Sequence, residues 1–153
     1  MTYLSISSPL GSLTIFEEGG KIVALEWGRA NKLKIQSKKG PLEKAHSQLN
    51  DYFDGTLKKF DLPLAPKGSE FQQGVWRWLR QIPYGQTRTY KEGALTVDSG
   101  PRAVGGACGR NPIPIIIPCH RVLEVNGRLG GFSAFSGLET KKVLLNLERS
   151  LNF

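Results

Sequence analysis

Cysteine and histidine are scarce in this sequence: among 153 residues there are two of each, Cys108 and Cys119, His46 and His120. Two cysteines are too few for a disulfide framework, and their spacing is not that of a pair holding zinc, so neither a stapled scaffold nor a metal centre is expected. A reduced thiol is what remains. A Cys-His protease is disfavoured as well, because it needs a base from a different segment and an orienting partner, and His46 is the one other histidine. No stretch approaches the ~18 apolar residues that span a bilayer, and the first residues lack a charged segment followed by an apolar run. The expectation is a cytoplasmic protein, nuclear if the source is eukaryotic, without a membrane partner.

Enough apolar sequence is present, 39% of the chain, for one core or for two small domains. Lysine and arginine number 21 against 13 acidic residues, a net charge of +8 that points to a polyanionic partner. From Phe71 onward there are 11 basic and 5 acidic residues, against 10 and 8 before it, and eight of the nine arginines lie in that second part. Arginine's planar fork suits phosphate and base contacts, so a nucleic-acid surface is expected there.

Residues 3 to 27 read as a meander: Tyr3 to Ser7, Leu13 to Phe16 after Pro9-Leu10-Gly11, and Ile22 to Trp27 after Gly19-Gly20. Pro41 then opens a helical pattern with Leu42, Ala45, Leu49, Tyr52 and Phe53 on one face, closed by Gly55. This makes a small α+β domain over 1–66, with a Pro- and Gly-bearing connection leading to a second domain over 67–153. Ser69-Glu70-Phe71-Gln72 has the form of a capping box, starting a helix whose buried stripe is expected to be Phe71, Val75, Trp78 and Leu79. Thr89-Tyr90-Lys91-Glu92 is a second capping box, and after Asp98-Ser99-Gly100 a third helix begins at Pro101. Two short helices about a tight turn have the outline of a helix-turn-helix, although turn composition alone favours an ordinary helical pair. The third helix holds little but small side chains after Arg102, and each of its mid-helix glycines costs about 1 kcal/mol relative to alanine. Close approach to another surface is the expected compensation, whether a narrow groove or a neighbouring helix.

Asn111 to Val122 combines three prolines, a branched apolar run and the pair Cys119-His120. Proline fixes its own backbone angle, so a rigid extended segment ending at the thiol is expected. Once ionised, cysteine is the most nucleophilic side chain, and His120, Arg121 and a helix N-terminus are the features expected to lower its pKa. Val122 to Val125 followed by Asn126-Gly127 reads as a strand entering a two-residue hairpin. The loop 130–137 holds Phe132 and Phe135 among glycine and serine, suited to closing over a flat ligand. Leu138 to Leu147 forms a last helix, with Lys141 and Lys142 expected on or near its exposed side and Glu148 at its end.

Together these segments resemble the O6-alkylguanine-DNA alkyltransferases, the methylated-DNA protein-cysteine methyltransferases. Pro118-Cys119-His120-Arg121-Val122 is similar to their active-site motif, Arg102-Ala103-Val104-Gly105-Gly106-Ala107 to their recognition helix, and Asn111-Pro112 to the hinge between them. The resemblance covers about residues 69 to 149. It implies a ribonuclease H-like α/β N-terminal domain and a mainly helical C-terminal domain with a winged-helix-like helix-turn-helix. It also implies single-turnover transfer of an alkyl group from O6-alkylguanine in duplex DNA to Cys119, with O4-alkylthymine left open, after the base is rotated out of the stack. By the same resemblance His120 accepts the thiol proton through water and Glu148 orients it, while Tyr90 donates to the leaving purine. Arg102 fills the vacated stack, and Asn111 ties the recognition helix to the active-site segment. Thr89, Ala103, Gly106, Ala107, Arg110 and Arg121 are expected at the DNA, and Val122, Phe132, Ser133, Phe135 and Ser136 around the base. No cofactor is implied; the expected partner is double-stranded DNA entered through the minor groove by a monomer.

The loop departs from the family's Tyr-Ser-Gly-Gly pattern and looks two residues longer, so either phenylalanine and either serine fits the pocket role. A lesion-binding module without transfer would lack the acceptor cysteine that is present here. A helix-turn-helix regulator would carry polar base-reading side chains where this chain has Ala103, Gly106 and Ala107.

Overall fold

Alternation of apolar and polar residues from Thr2 to Trp27 produces three antiparallel strands, β1 (Thr2–Ser8), β2 (Gly11–Glu18) and β3 (Lys21–Trp27). The computed structural model that shows them describes residues 1–30, 35–37, 39–130 and 137–149. The chain divides into two compact units, Met1–Lys67 and Gly68–Phe153.

In the first unit, a two-residue strand β4 (Ile35–Gln36) adds in parallel to β1, giving the order β3-β2-β1-β4. Two residues carry too little pattern to be seen in a sequence. Helix α1 (Pro41–Phe53) starts at proline, whose missing N–H costs nothing at a helix start, and packs Leu42, Ala45, Leu49 and Tyr52 against the sheet. Leu4, Ile6, Leu13, Ile15 and Leu25 are buried. On the strands' other residues, Tyr3, Phe16 and Val23 form a small cluster, and Ser5 and Thr14 share a hydrogen bond of 2.8 Å. The segment expected to be only a connection also pairs with the outer strand: Ile22 N–H donates to the Pro63 carbonyl and Ala65 N–H to the Ile22 carbonyl, both at 2.8 Å.

The second unit is built on three helices, α2 (Glu70–Arg80), α3 (Tyr90–Thr96) and α4 (Pro101–Gly109). Both capping boxes form: the Ser69 hydroxyl accepts from Gln72 N–H and the Thr89 hydroxyl from Glu92 N–H, each at 3.1 Å, with the Gln72 and Glu92 side chains bonded back. The stripe of α2 differs from the expected one. Phe71 is 37% exposed, whereas Trp76, outside the expected stripe, is buried, with its Nε1 donating to the Ala107 carbonyl at 2.9 Å. Helix α3 approaches so closely that a Cβ on Gly93 would sit 2.6 Å from the Trp78 ring.

Two expectations for the following segment are corrected. Residues 111–118 are not extended but wound into tight turns: Ile117 N–H donates to the Ile113 carbonyl at 2.9 Å, and Ile115 takes φ +73°. Proline restricts only its own φ and its predecessor, whereas burying Ile113, Ile115, Ile116 and Ile117 together rewards a compact knot. The second correction concerns the strand after the thiol. Strand β6 (Val122–Leu123) is two residues long and pairs in parallel with β5 (Arg88–Thr89); the expected turn at Asn126-Gly127 forms, but over three residues, with Gly127 N–H donating to the Glu124 carbonyl and Glu124 N–H to the Arg128 carbonyl, both at 2.9 Å. Helix α5 (Leu138–Leu147) closes the unit. Among the described residues no helix is long and apolar enough to cross a membrane.

Candidate active site

Cys119 opens a single 3-10 turn, Cys119–Arg121, immediately after Pro118, and keeps 6% of its surface exposed. Its N–H donates to the Ile117 carbonyl at 2.8 Å. Asn111 holds the same carbonyl with its amide at 2.8 Å and accepts from Ile113 N–H at 3.0 Å. Its backbone N–H donates to the Cys108 carbonyl, so one residue, through backbone and side chain, ties the end of α4 to the thiol segment. Burial pushes the Cys119 thiol up, and a hydrogen bond from Asn111, the Lys141 ammonium and the residue's own backbone amide pull the other way. Neither His120 nor Arg121 supplies the expected lowering charge; the cation that acts on the sulfur is Lys141.

Lys141 is the largest departure from expectation. It is fully buried, donates to the Val122 carbonyl at 2.7 Å and to the Leu129 carbonyl, and stands 5.8 Å from the centre of the Tyr90 ring. Burial brings its ammonium down to about 8, against the opposing pull of Cys119 and Cys108. A signal was available in the sequence: Lys141 lies three and four residues before the buried Leu144 and Leu145 and seven before Glu148, which is one helix face. Cys108, also buried, is pushed up to about 12, first by desolvation and then by the neighbouring Cys119.

His120 is wholly buried, and its Nε2 lies 2.7 Å from Glu148 Oε2. Arg121, expected at the DNA, points inward instead, with 6% of its surface exposed. Its Nε and Nη2 donate to Glu148 Oε1 and Oε2 at 2.8 and 3.0 Å, and its Nη1 donates to the Ile82 carbonyl at 2.7 Å. Three of the guanidinium's five N–H donors are thus spent on buried acceptors. Burial alone would raise the Glu148 carboxyl, but hydrogen bonds and charge from His120 and Arg121 overcome it and hold the group at about 2. Desolvation outweighs the attraction of Glu148 and keeps His120 below the ordinary imidazole range. An ionised carboxylate only accepts, so the neutral imidazole carries its hydrogen on Nε2. The lone pair is then on Nδ1, which is buried with no partner among the described residues.

Helix α4 presents Arg102, Ala103, Gly106, Gly109 and Arg110 outward and buries Val104, Ala107 and Cys108. Ala107, expected at the DNA, is therefore a core residue. A Cβ on Gly105 would sit 3.8 Å from the Tyr90 ring, whereas one on Gly106 would meet nothing within 4 Å. No contact among the described residues requires a glycine at 106. Tyr90, first residue of α3, is half-buried and its phenol is raised mainly by burial. Thr89 caps the same helix, and Val122 is buried in β6. Phe132, Ser133, Phe135 and Ser136 lie outside the described residues.

Two family models match the chain. Residues 1–66 match the 6-O-methylguanine DNA methyltransferase, ribonuclease-like domain, and residues 70–150 match its DNA binding domain. A methylated-DNA--protein-cysteine methyltransferase of Methanosarcina acetivorans is 46% identical over 98% of this chain and 99% of its own length. The constitutive enzyme of that name from Bacillus subtilis is 41% identical over 96% and 94%. Among solved structures, Mycobacterium tuberculosis OGT in complex with DNA superposes with a TM-score of 0.88 at 40% identity, covering 98% of this chain and 94% of that one. Two consecutive domain matches and full-length identity above 40% leave one assignment: the chain belongs to the 6-O-methylguanine DNA methyltransferase family.

Proposed function

We propose that this chain reverses DNA alkylation directly, moving the alkyl group of O6-alkylguanine in duplex DNA onto the sulfur of Cys119 in a single turnover. The S–C bond forms as the C–O6 bond breaks, the bonding pair passes to O6, and the thiol proton is replaced by the alkyl group while guanine is restored. The observation that carries the reading is the neutral, buried His120, fixed by ionised Glu148 so that Nδ1 offers a lone pair one residue from the thiol. His120 is the base that receives the thiol proton through water, and Glu148 its orienter. Tyr90 donates to the purine as negative charge develops on it.

The DNA is met by the outward face of α4. Arg102 enters the stack in place of the extruded base, Ala103 and Gly106 allow the backbone to approach the minor-groove floor, and Arg110 and Thr89 meet the phosphates. The glycine at 106, unneeded by internal packing, supports this placement. Gly106→Gln is accordingly expected to leave the melting temperature unchanged or slightly higher, since glycine is the poorer helix former. The same change weakens binding to duplex DNA at least tenfold by gel shift; unchanged affinity would remove α4 from the interface. The base is covered by an aromatic of the 132–136 segment, an assignment that rests on sequence alone. The protein acts as a monomer in the cytoplasm.

Incubation with a duplex containing O6-methylguanine, followed by intact-mass measurement, tests the whole. A gain of one methyl group is expected, lost in Cys119→Ala and kept in Cys108→Ala. Binding with no mass gain would make the chain a lesion-recognition module instead.

A further inference from the structure

We infer that Arg121 is a positioning residue of the transfer reaction, locking Glu148 as a two-oxygen acceptor and thereby fixing which nitrogen of His120 is free. The inference rests on the assignment of His120 as the base. Its ground is geometric: three guanidinium nitrogens are spent on buried acceptors, two on the carboxylate and one on the Ile82 carbonyl at the end of α2. A fork of this kind sets the plane of the carboxylate as well as its place, which a single ammonium cannot do. The carboxylate so held offers Oε2 to both Arg121 Nη2 and His120 Nε2, at 3.0 and 2.7 Å.

The Tyr84 ring, in the turn after α2, lies 5.8 Å from the guanidinium carbon, and its hydroxyl donates to the Leu147 carbonyl. Arg149 acts on Tyr84, and Lys141, on α5, acts on His120 only by repulsion from its own carbonyl partners. Take the guanidinium away, and the carboxylate–imidazole pair loses the cation that disfavours its binding one extra proton. The pair then acquires that proton at higher pH, whichever of the two holds it, and the Nδ1 lone pair is lost to a growing fraction of molecules.

The test uses the full chain with Arg121→Met and Arg121→Lys, the methyl-transfer rate on duplex O6-methylguanine measured against pH, and 15N spectra of His120 without DNA. In the parent chain His120 should show hydrogen on Nε2 and a bare Nδ1. Arg121→Met is expected to move the acidic limb of the rate upward by about one pH unit or more, with the His120 signals moving alongside. Arg121→Lys keeps the charge and the buried stem; it should hold the limb nearer its original place yet transfer at least threefold more slowly. A purely structural role would lower the melting temperature and leave limb and signals where they were. Unaltered signals with a parental limb in folded Arg121→Met overturn the inference, and if that variant does not fold, a parental rate in Arg121→Lys does so. His120→Ala with parental transfer would sink the base assignment instead, while the DNA-free spectra would still decide whether Arg121 sets the imidazole.

Discussion

Glu148→Gln is expected to melt about 6–12 °C below the parent chain, on about 3 kcal/mol of lost stability at 2–4 °C per kcal/mol for a protein of this size, and to transfer at least tenfold more slowly. Glu148 accepts at Oε1 from Arg121 Nε and at Oε2 from Arg121 Nη2 and His120 Nε2. An amide has one oxygen to offer, so its NH2 must face a donor, and the buried guanidinium loses its counter-charge. Rotation of the proton from Nε2 to Nδ1 would relieve the clash at His120, but it consumes the lone pair that takes the thiol proton. Stability and rate therefore fall together.

Acid distinguishes this cause from general damage to the fold. The Glu148 carboxyl, ordinarily near 4.5, is held at about 2 in the folded chain. A carboxyl lowered by folding contributes stability that is present above its unfolded pKa and is lost as the pH falls through the folded one. At about 1.4 kcal/mol per pH unit this contribution is about 3 kcal/mol, given up between roughly pH 4.5 and pH 2. Glutamine has no such term, so the gap in unfolding free energy between parent and variant should close across that window. A constant gap in denaturant titrations from neutral pH to pH 2 would mean that the carboxylate charge is not what stabilises the cluster.

What a sequence reveals here divides along a physical line. Elements specified by their own neighbours are legible: the alternation in β1 to β3, the Ser69–Gln72 and Thr89–Glu92 boxes, and proline at the start of α1 and α4 are local statements about hydrogen bonds and periodicity. The motif around Cys119 is legible for the same reason, being contiguous. Elements that depend on a distant partner are not. Trp76 is buried off the expected stripe, where the Ala107 carbonyl, 31 residues on, accepts its N–H. The isoleucines of 113–117 choose turns because all four are buried. Arg121 and Lys141 look like surface charges until the carboxylate of Glu148 and the carbonyls of Val122 and Leu129 come to meet them. For a charged side chain, burial is decided by its partners, and no window around it contains them.

Lys141→Met is expected to behave in the opposite way to Glu148→Gln, losing rate while changing stability little. Lys141, ordinarily near 10.5, is brought to about 8 in the folded chain. Its burial as an ammonium thus costs about 3 kcal/mol at neutral pH, and methionine of similar length removes that cost. Against this stand the Val122 and Leu129 carbonyls, which lose their donor at about 1–3 kcal/mol for a buried group left unsatisfied. The two sums nearly cancel. Linkage gives a signature: because folding lowers this base, the parent chain's stability rises with pH between about 8 and 10.5, as the unfolded chain alone still holds the proton. That rise should be missing in Lys141→Met. The reaction has no such compensation, since the cation that offsets burial of the Cys119 sulfur is gone. Alkylation of Cys119 by iodoacetamide should slow at least tenfold at neutral pH and recover as the pH is raised, each pH unit restoring up to tenfold of thiolate. A parental rate at neutral pH, in a variant with a parental melting temperature, would show that the sulfur does not depend on the Lys141 ammonium.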